Sequence, residues 1–145
     1  MINQAYAYRE LIPKTHYYFE SIGEKDKIVK IVVFTFSENY VWSLGFGDLG
    51  NDGFIDDSVV SNNQDARKVL QTVAKIAFDF LAQNPTETLE IEPVDYKRKQ
   101  LYNNIFQRYF QDINTLFNVW GTLNGKDETY TPSNFYDIFK ISLKI

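Results

Sequence analysis

Between Ser61 and Phe117 the chain carries two long runs of apolar residues at helical spacing, divided by one short β-type run, Thr88 to Glu92. This alternation restricts the fold more than any other feature. Strands separated by helices call for crossover connections and a partly parallel sheet. The first helix is predicted from about Gln64 to Leu81, ahead of Asn84-Pro85. Its inward stripe is Ala66, Val69, Leu70, Val73, Ile76, Ala77 and Phe80, while Arg67, Lys68, Gln71, Lys75 and Asp79 point elsewhere. Ser61 and Gln64 have capping-box spacing, and Asn62 or Asn63 offers another cap. The second helix is predicted from Tyr96 to Phe117, capped by Asp95, with Leu101, Ile105, Tyr109, Ile113 and Leu116 as its core.

The flanks read as strands. His16 to Glu20 and Lys27 to Ser37 enclose a Gly23-Glu24-Lys25-Asp26 turn, a hairpin pattern. Tyr40 to Phe46 alternates and is expected to fail as a strand at Gly45-Phe46-Gly47. Residues 47–63 read as a loop in which Phe54, Ile55 and Val59-Val60 offer a short strand. Phe117 to Leu123 and Tyr136 to Leu143 are strands, with a loop rich in turn formers from Asn124 to Asn134. The expected order is β-β-β-α-β-α-β-β. This is an α/β (α+β) fold with helices against a mixed central sheet of about six strands. Residues 1–145 are read as a single domain.

Composition excludes several classes of chemistry. There is no cysteine, which removes thiol nucleophiles, iron–sulfur clusters, cysteine–zinc sites and disulfides. His16 is the only histidine, so a multi-histidine metal site within one chain is impossible, and a strand histidine held by hydrogen bonds is the expectation. The net charge of −4 disfavours general nucleic-acid binding, although local basic patches remain open. The opening residues lack the pattern of a signal peptide. The longest apolar stretch, Ile28 to Phe36, is broken by Lys30 and Thr35 and falls short of a membrane span. The expected location is the cytoplasm.

Three clusters are candidates for function. Asn62, Asn63, Asp65 and Arg67 surround the first helix start, either as caps or as a phosphate or nucleotide seat. Lys97, Arg98 and Lys99 open the second helix, where cations oppose the helix dipole. A bound anion or the nearby Asp95 and Glu92 would compensate them. In a βαβ arrangement both helix starts can lie at the carboxyl ends of the strands, where open α/β sheets bind ligands. Asp48, Asp52, Asp56 and Asp57 suggest a cation loop, but Val59 stands where an EF-hand needs its bidentate carboxylate. The aromatics, 17% of the chain, are expected in the core or at an interface.

Two resemblances follow from particular residues. Over residues 89–104, LEIEPVDYKRKQLYNN, the chain resembles GNAT-type N-acetyltransferases. Their second core helix opens on Pro-x-Asn and carries Leu-Tyr, matched here by Pro93, Asp95 and Leu101-Tyr102. The resemblance implies a GNAT-like fold, acetyl-coenzyme A as cofactor, and Tyr102 as the acid that protonates the departing thiolate. It also implies a pyrophosphate seat near Gln64, although Arg67 and Val69 occupy the family's glycine positions. The chain is also similar to a family of small uncharacterised bacterial proteins. The shared features are Gly45-Phe46-Gly47-Asp48, Ser61-Asn62-Asn63-x-Asp65, Lys68-Val69-Leu70-x-Thr72-Val73 and Arg98-x-x-Leu101-Tyr102.

Two functions are therefore expected to compete. One is a non-catalytic interaction module with a protein partner or a second copy of itself. The other is an acyl-coenzyme-A-dependent N-acyltransferase, or a degenerate relative that binds coenzyme A or a nucleotide. The site residues on that view are Tyr102 for catalysis and Asn62, Asn63, Gln64, Asp65, Arg67, Lys97 and Arg98 for the cofactor, with no metal.

Overall fold

A computed structural model describes residues 4–23, 27–49, 55–56 and 65–144. These residues gather into two compact units. One comprises residues 1–35 and 45–80, the other residues 36–44 and 81–145.

The first unit is built on the strands β1 (Arg9–Ile12) and β2 (His16–Ile22), most of β3 (Lys27–Glu38) and the end of β4 (Val41–Leu49), with the short β5 (Ile55–Asp56) beside β4. The predicted hairpin is formed by β2 and β3, antiparallel from His16↔Val33 to Ile22↔Lys27. β1 adds to β2 with a bulge between Glu10 and Ile12. Its four residues are all exposed and show no alternation, so the sequence carries no strand pattern there. Strand geometry does not fail at Gly45, as expected above; β4 continues to Leu49. The reason is pairing: Asp48 and Leu49 register with Asp56 and Ile55, which holds the extended backbone despite the glycines.

The helix α1 (Ala66–Gln83) buries Val69, Ile76, Ala77 and Phe80. Phe80 stacks on Phe34 of β3 with ring centroids 4.1 Å apart. Two expectations for α1 need correction. Ala66 is exposed, and Gln71, assigned to the polar side, is only 6% exposed. Other chain therefore covers more of this helix than one apolar stripe. Some of that cover is the N-terminal segment. Tyr6 N–H donates to Thr72 Oγ1 at 2.8 Å, and the Tyr8 hydroxyl donates to the Asp79 carboxylate. Lys30 is buried on β3 in an ion pair with Asp48 of β4. That contact explains how a lysine interrupts the most apolar strand, since a buried charge needs a hydrogen-bonded partner.

In the second unit the start of β4 pairs in parallel with β6 (Thr88–Ile91), Val41 opposite Thr88. β6 pairs antiparallel with β9 (Ile138–Leu143), β9 with β7 (Phe117–Leu123), and β7 with β8 (Lys126–Thr129). β8 lies within the span read as loop. Its turn is Asn124-Gly125, with φ of 51° and 78°, the two-residue connection that Asn-Gly favours. The helix α2 (Tyr96–Leu116) starts and ends close to expectation and is capped by Asp95, whose Oδ1 accepts from Arg98 N–H at 2.8 Å.

The buried residues of α2 are Arg98, Asn103, Phe106 and Ile113, whereas Leu101, Ile105, Tyr109 and Leu116 are half-buried. The predicted stripe is thus offset from the real one. Phe106 takes the central place by stacking on Phe139 at 4.2 Å. Among the described residues the broad expectation, a mixed sheet with two helices, holds. In the second unit the strand order is β4-β6-β9-β7-β8, and the first unit adds β1, β2, β3 and β5, so the strand count exceeds six.

Candidate functional site

At the start of α2, exposed apolar groups stand beside charged ones. Asp95 fixes the first turn through its cap. Tyr96 follows as the first helical residue, 66% exposed, and Val94 just before it is 69% exposed. Phe135, from the segment between β8 and β9, brings its ring centroid to 6.2 Å from that of Tyr96. Lys99 Nζ lies 5.0 Å from the Phe135 centroid and 2.5 Å from Asp137 Oδ1. Lys99 and the Asn124 N–H hold the Asp137 carboxyl below the usual carboxylate range.

Phe135 is exposed yet firmly placed. On one side, Asn134 Nδ2 donates to Glu128 Oε2 at 2.9 Å. On the other, the Asn103 side chain holds the backbone of Tyr136 at two points. The Tyr136 ring is fully buried; its hydroxyl donates to Glu128 at 2.7 Å and accepts from Thr131 N–H at 3.0 Å. Beneath the segment Tyr130 is buried too, which pushes its phenol up to about 12. The backbone that carries Phe135 is therefore ordered before any partner arrives.

The sequence-derived site residues fall into separate groups. Asn62, Asn63 and Gln64 lie outside the described residues. Asp65 and Arg67 stand at the start of α1 in the first unit. The Asp65 carboxylate accepts from the Tyr6 hydroxyl at 2.6 Å and from Ser21 Oγ at 2.5 Å, and its carbonyl accepts from Val69 N–H. Arg67 is exposed. In the second unit Lys97 is exposed, Arg98 is buried at 3% and Tyr102 is half-buried. Arg98 and Tyr102 are four positions apart, so they share one side of α2. Of the cation-loop residues, Asp48 is committed to Lys30, Asp52 and Asp57 lie outside the described residues, and no cluster of metal-ligating groups occurs among the described residues. His16 is a half-buried strand residue whose Nδ1 lies 2.7 Å from Thr15 Oγ1. No helix among the described residues is long and apolar enough to cross a membrane.

Sequence reasoning placed Tyr96 next to the lysines but did not find Phe135 or Val94 as surface features. Phe135 had one available signal, an aromatic set among turn formers, where burial is not expected.

The family model of DUF6934 matches residues 3–144. The chain belongs to this family. DUF6934 is described as a family of unknown function, and the match runs through both units. No curated protein and no solved structure matches the chain.

Proposed function

We propose that this DUF6934 member is a non-catalytic interaction module on a GNAT-like fold. It binds a protein partner through the apolar surface at the start of α2. One observation carries the reading: Val94, Tyr96 and Phe135 are exposed, and Phe135 is held in place from both sides. Exposed aromatics in a cluster mark interaction surfaces, and aromatic anchors dominate interface energetics when they are pre-organised. The polar groups nearby support the same reading. Asp95, Lys99, Asn103 and Asp137 are occupied in holding the surface together.

The test is selection of binding peptides from a randomised displayed library. Saturable binders are expected, and Tyr96→Ala with Phe135→Ala should weaken them by about tenfold or more. A library that yields no binder, or binders indifferent to both substitutions, would sink the reading.

A relative that binds acyl-coenzyme A is the second reading. It is favoured by the parallel pairing of β4 with β6, followed directly by the helix that carries Arg98 and Tyr102 on one side. At the start of α1 the described residues do not suit a pyrophosphate. The Asp65 carboxylate stands there, and the buried side chain of Val69 occupies a glycine position of the resemblance. Thermal melting with acetyl-coenzyme A separates the readings, since a ligand bound only by the folded form raises its stability. The interaction module predicts no saturable shift. A saturable shift, with turnover abolished in Tyr102→Phe, would favour the transferase.

A further inference from the structure

The helix α2 differs in charge from the rest of the chain. Lys97, Arg98, Lys99 and Arg108 stand against Asp112 alone, a net charge of +3. The chain totals −4, so all other residues together carry −7. The segregation has a face. Lys97, Gln100, Asn104, Gln107, Arg108 and Gln111 are all exposed. At 3.6 residues per turn the first five, all ahead of the non-helical backbone at Tyr109, form one stripe about 100° wide, and none of them is acidic. Lys97 and Arg108 are eleven positions apart, about 16 Å along the helix. Among the described residues neither meets a carboxylate, while Lys75, Lys99 and Lys140 each do. Tyr96 lies beside the head of this stripe.

We infer that the partner of this surface is an acidic protein segment that lies along the exposed face of α2 and places an apolar side chain on Tyr96 and Phe135. The inference rests on the interaction reading above and names its partner class. The two cations would take carboxylates, and the three amide side chains between them, Gln100, Asn104 and Gln107, offer both donors and acceptors to carboxylates and peptide groups. A nucleic acid fits less well. It brings a phosphate charge about every 1.7 Å of duplex, far more than the two exposed cations neutralise, against −7 on the remainder of the chain. An acidic peptide carries fewer charges and supplies the apolar anchor.

The experiment measures fluorescence anisotropy of a labelled random glutamate–tyrosine copolymer, with a lysine–tyrosine copolymer and a short DNA duplex as competitors. The acidic copolymer is expected to bind saturably and to weaken as salt rises. Lys97→Glu with Arg108→Glu should weaken it about tenfold or more. Lys14→Glu with Lys126→Glu, an equal charge change at exposed positions elsewhere, should change it less than about twofold. Far-ultraviolet circular dichroism checks that both variants fold. Equal weakening by the two variants, absence of saturable binding, or better competition by the duplex or the basic copolymer overturns the inference. Library peptides that bind through Tyr96 and Phe135 but ignore the Lys97 and Arg108 reversals would overturn the acidic partner while leaving the interaction module standing.

Discussion

The side-chain amide of Asn103 closes on both backbone groups of Tyr136. Its Nδ2 donates to the Tyr136 carbonyl at 2.9 Å, and its Oδ1 accepts from the Tyr136 N–H at 2.8 Å. Asn103 also donates to the Lys99 carbonyl one turn back. A single side chain thus ties α2 to the segment that presents Phe135. Asn103→Ala should leave two buried backbone groups unsatisfied and cost about 2–4 kcal/mol. Urea denaturation measures this. A loss within the ordinary range of surface substitutions, about 0.5 kcal/mol, would mean the clamp is dispensable.

Gly121 and Tyr136 set up a steric prediction. A Cβ on Gly121 would stand 2.3 Å from the Tyr136 ring, and that ring has nowhere to go because it is fully buried. Gly121→Ala should therefore destabilise the chain by about 1–3 kcal/mol through overpacking. Gly45→Ala is the matched control, since its Cβ meets nothing closer than the Val33 carbonyl at 3.8 Å. Thermal melts of the two variants should separate clearly; equal shifts would refute the account.

Tyr40 takes φ of +65° at the turn between β3 and β4, next to Asn39 at +50°. Successive positive φ values are the backbone of a turn that prefers Asn-Gly, and a bulky residue in the left-handed region is disfavoured. The tyrosine side chain is 67% exposed, so little packing opposes its removal. Tyr40→Gly should raise the melting temperature, by an amount equivalent to about 0.5 kcal/mol once the added freedom of glycine in the unfolded chain is set against the relief. A lowered melting temperature would show that the exposed ring stabilises the hairpin.

Asp137 contributes to the acid side of stability in the second unit. Its carboxyl is held below its ordinary value, first by the Lys99 hydrogen bond. The linkage therefore favours the folded state fully above the unfolded value, about 3.9, and is lost as pH falls through the lower folded value. Asp137→Asn should flatten the fall of stability in that acidic window and cost little slope above about pH 6. Chemical denaturation at a series of pH values tests this. An unchanged acid slope would assign the dependence to other carboxylates such as Asp127, which Lys140 and Thr122 also hold low.

Much of the fold could be read from local pattern. Phe117–Leu123 and the opening of α2 at Tyr96 behind Asp95 coincide with expectation because they depend on alternation and capping within a few residues. The hairpin at Asn124-Gly125 was also available in the sequence, but its second strand, Lys126–Thr129, is charged and exposed and so resembles loop. β1 left no pattern, since an exposed edge strand has no face to bury.

The candidate surface was less accessible to such reading. Lys97, Arg98 and Tyr102 stand together on one helix and were found as neighbours in sequence. That Arg98 is buried while Lys97 is exposed depends on what packs against each side of α2.

Residue order alone settled the alternation of two helices with strands, the caps, the absence of thiol chemistry and the positive charge of α2. These follow from hydrogen bonding and side-chain spacing along a short stretch of chain. The pairing of Tyr96 with Phe135, the grip of Asn103 on Tyr136 and the burial of Lys30 with Asp48 came from the folded arrangement. Each joins residues between 18 and 39 positions apart, and the free energy of such contacts depends on which surfaces exclude water together, which no local periodicity encodes.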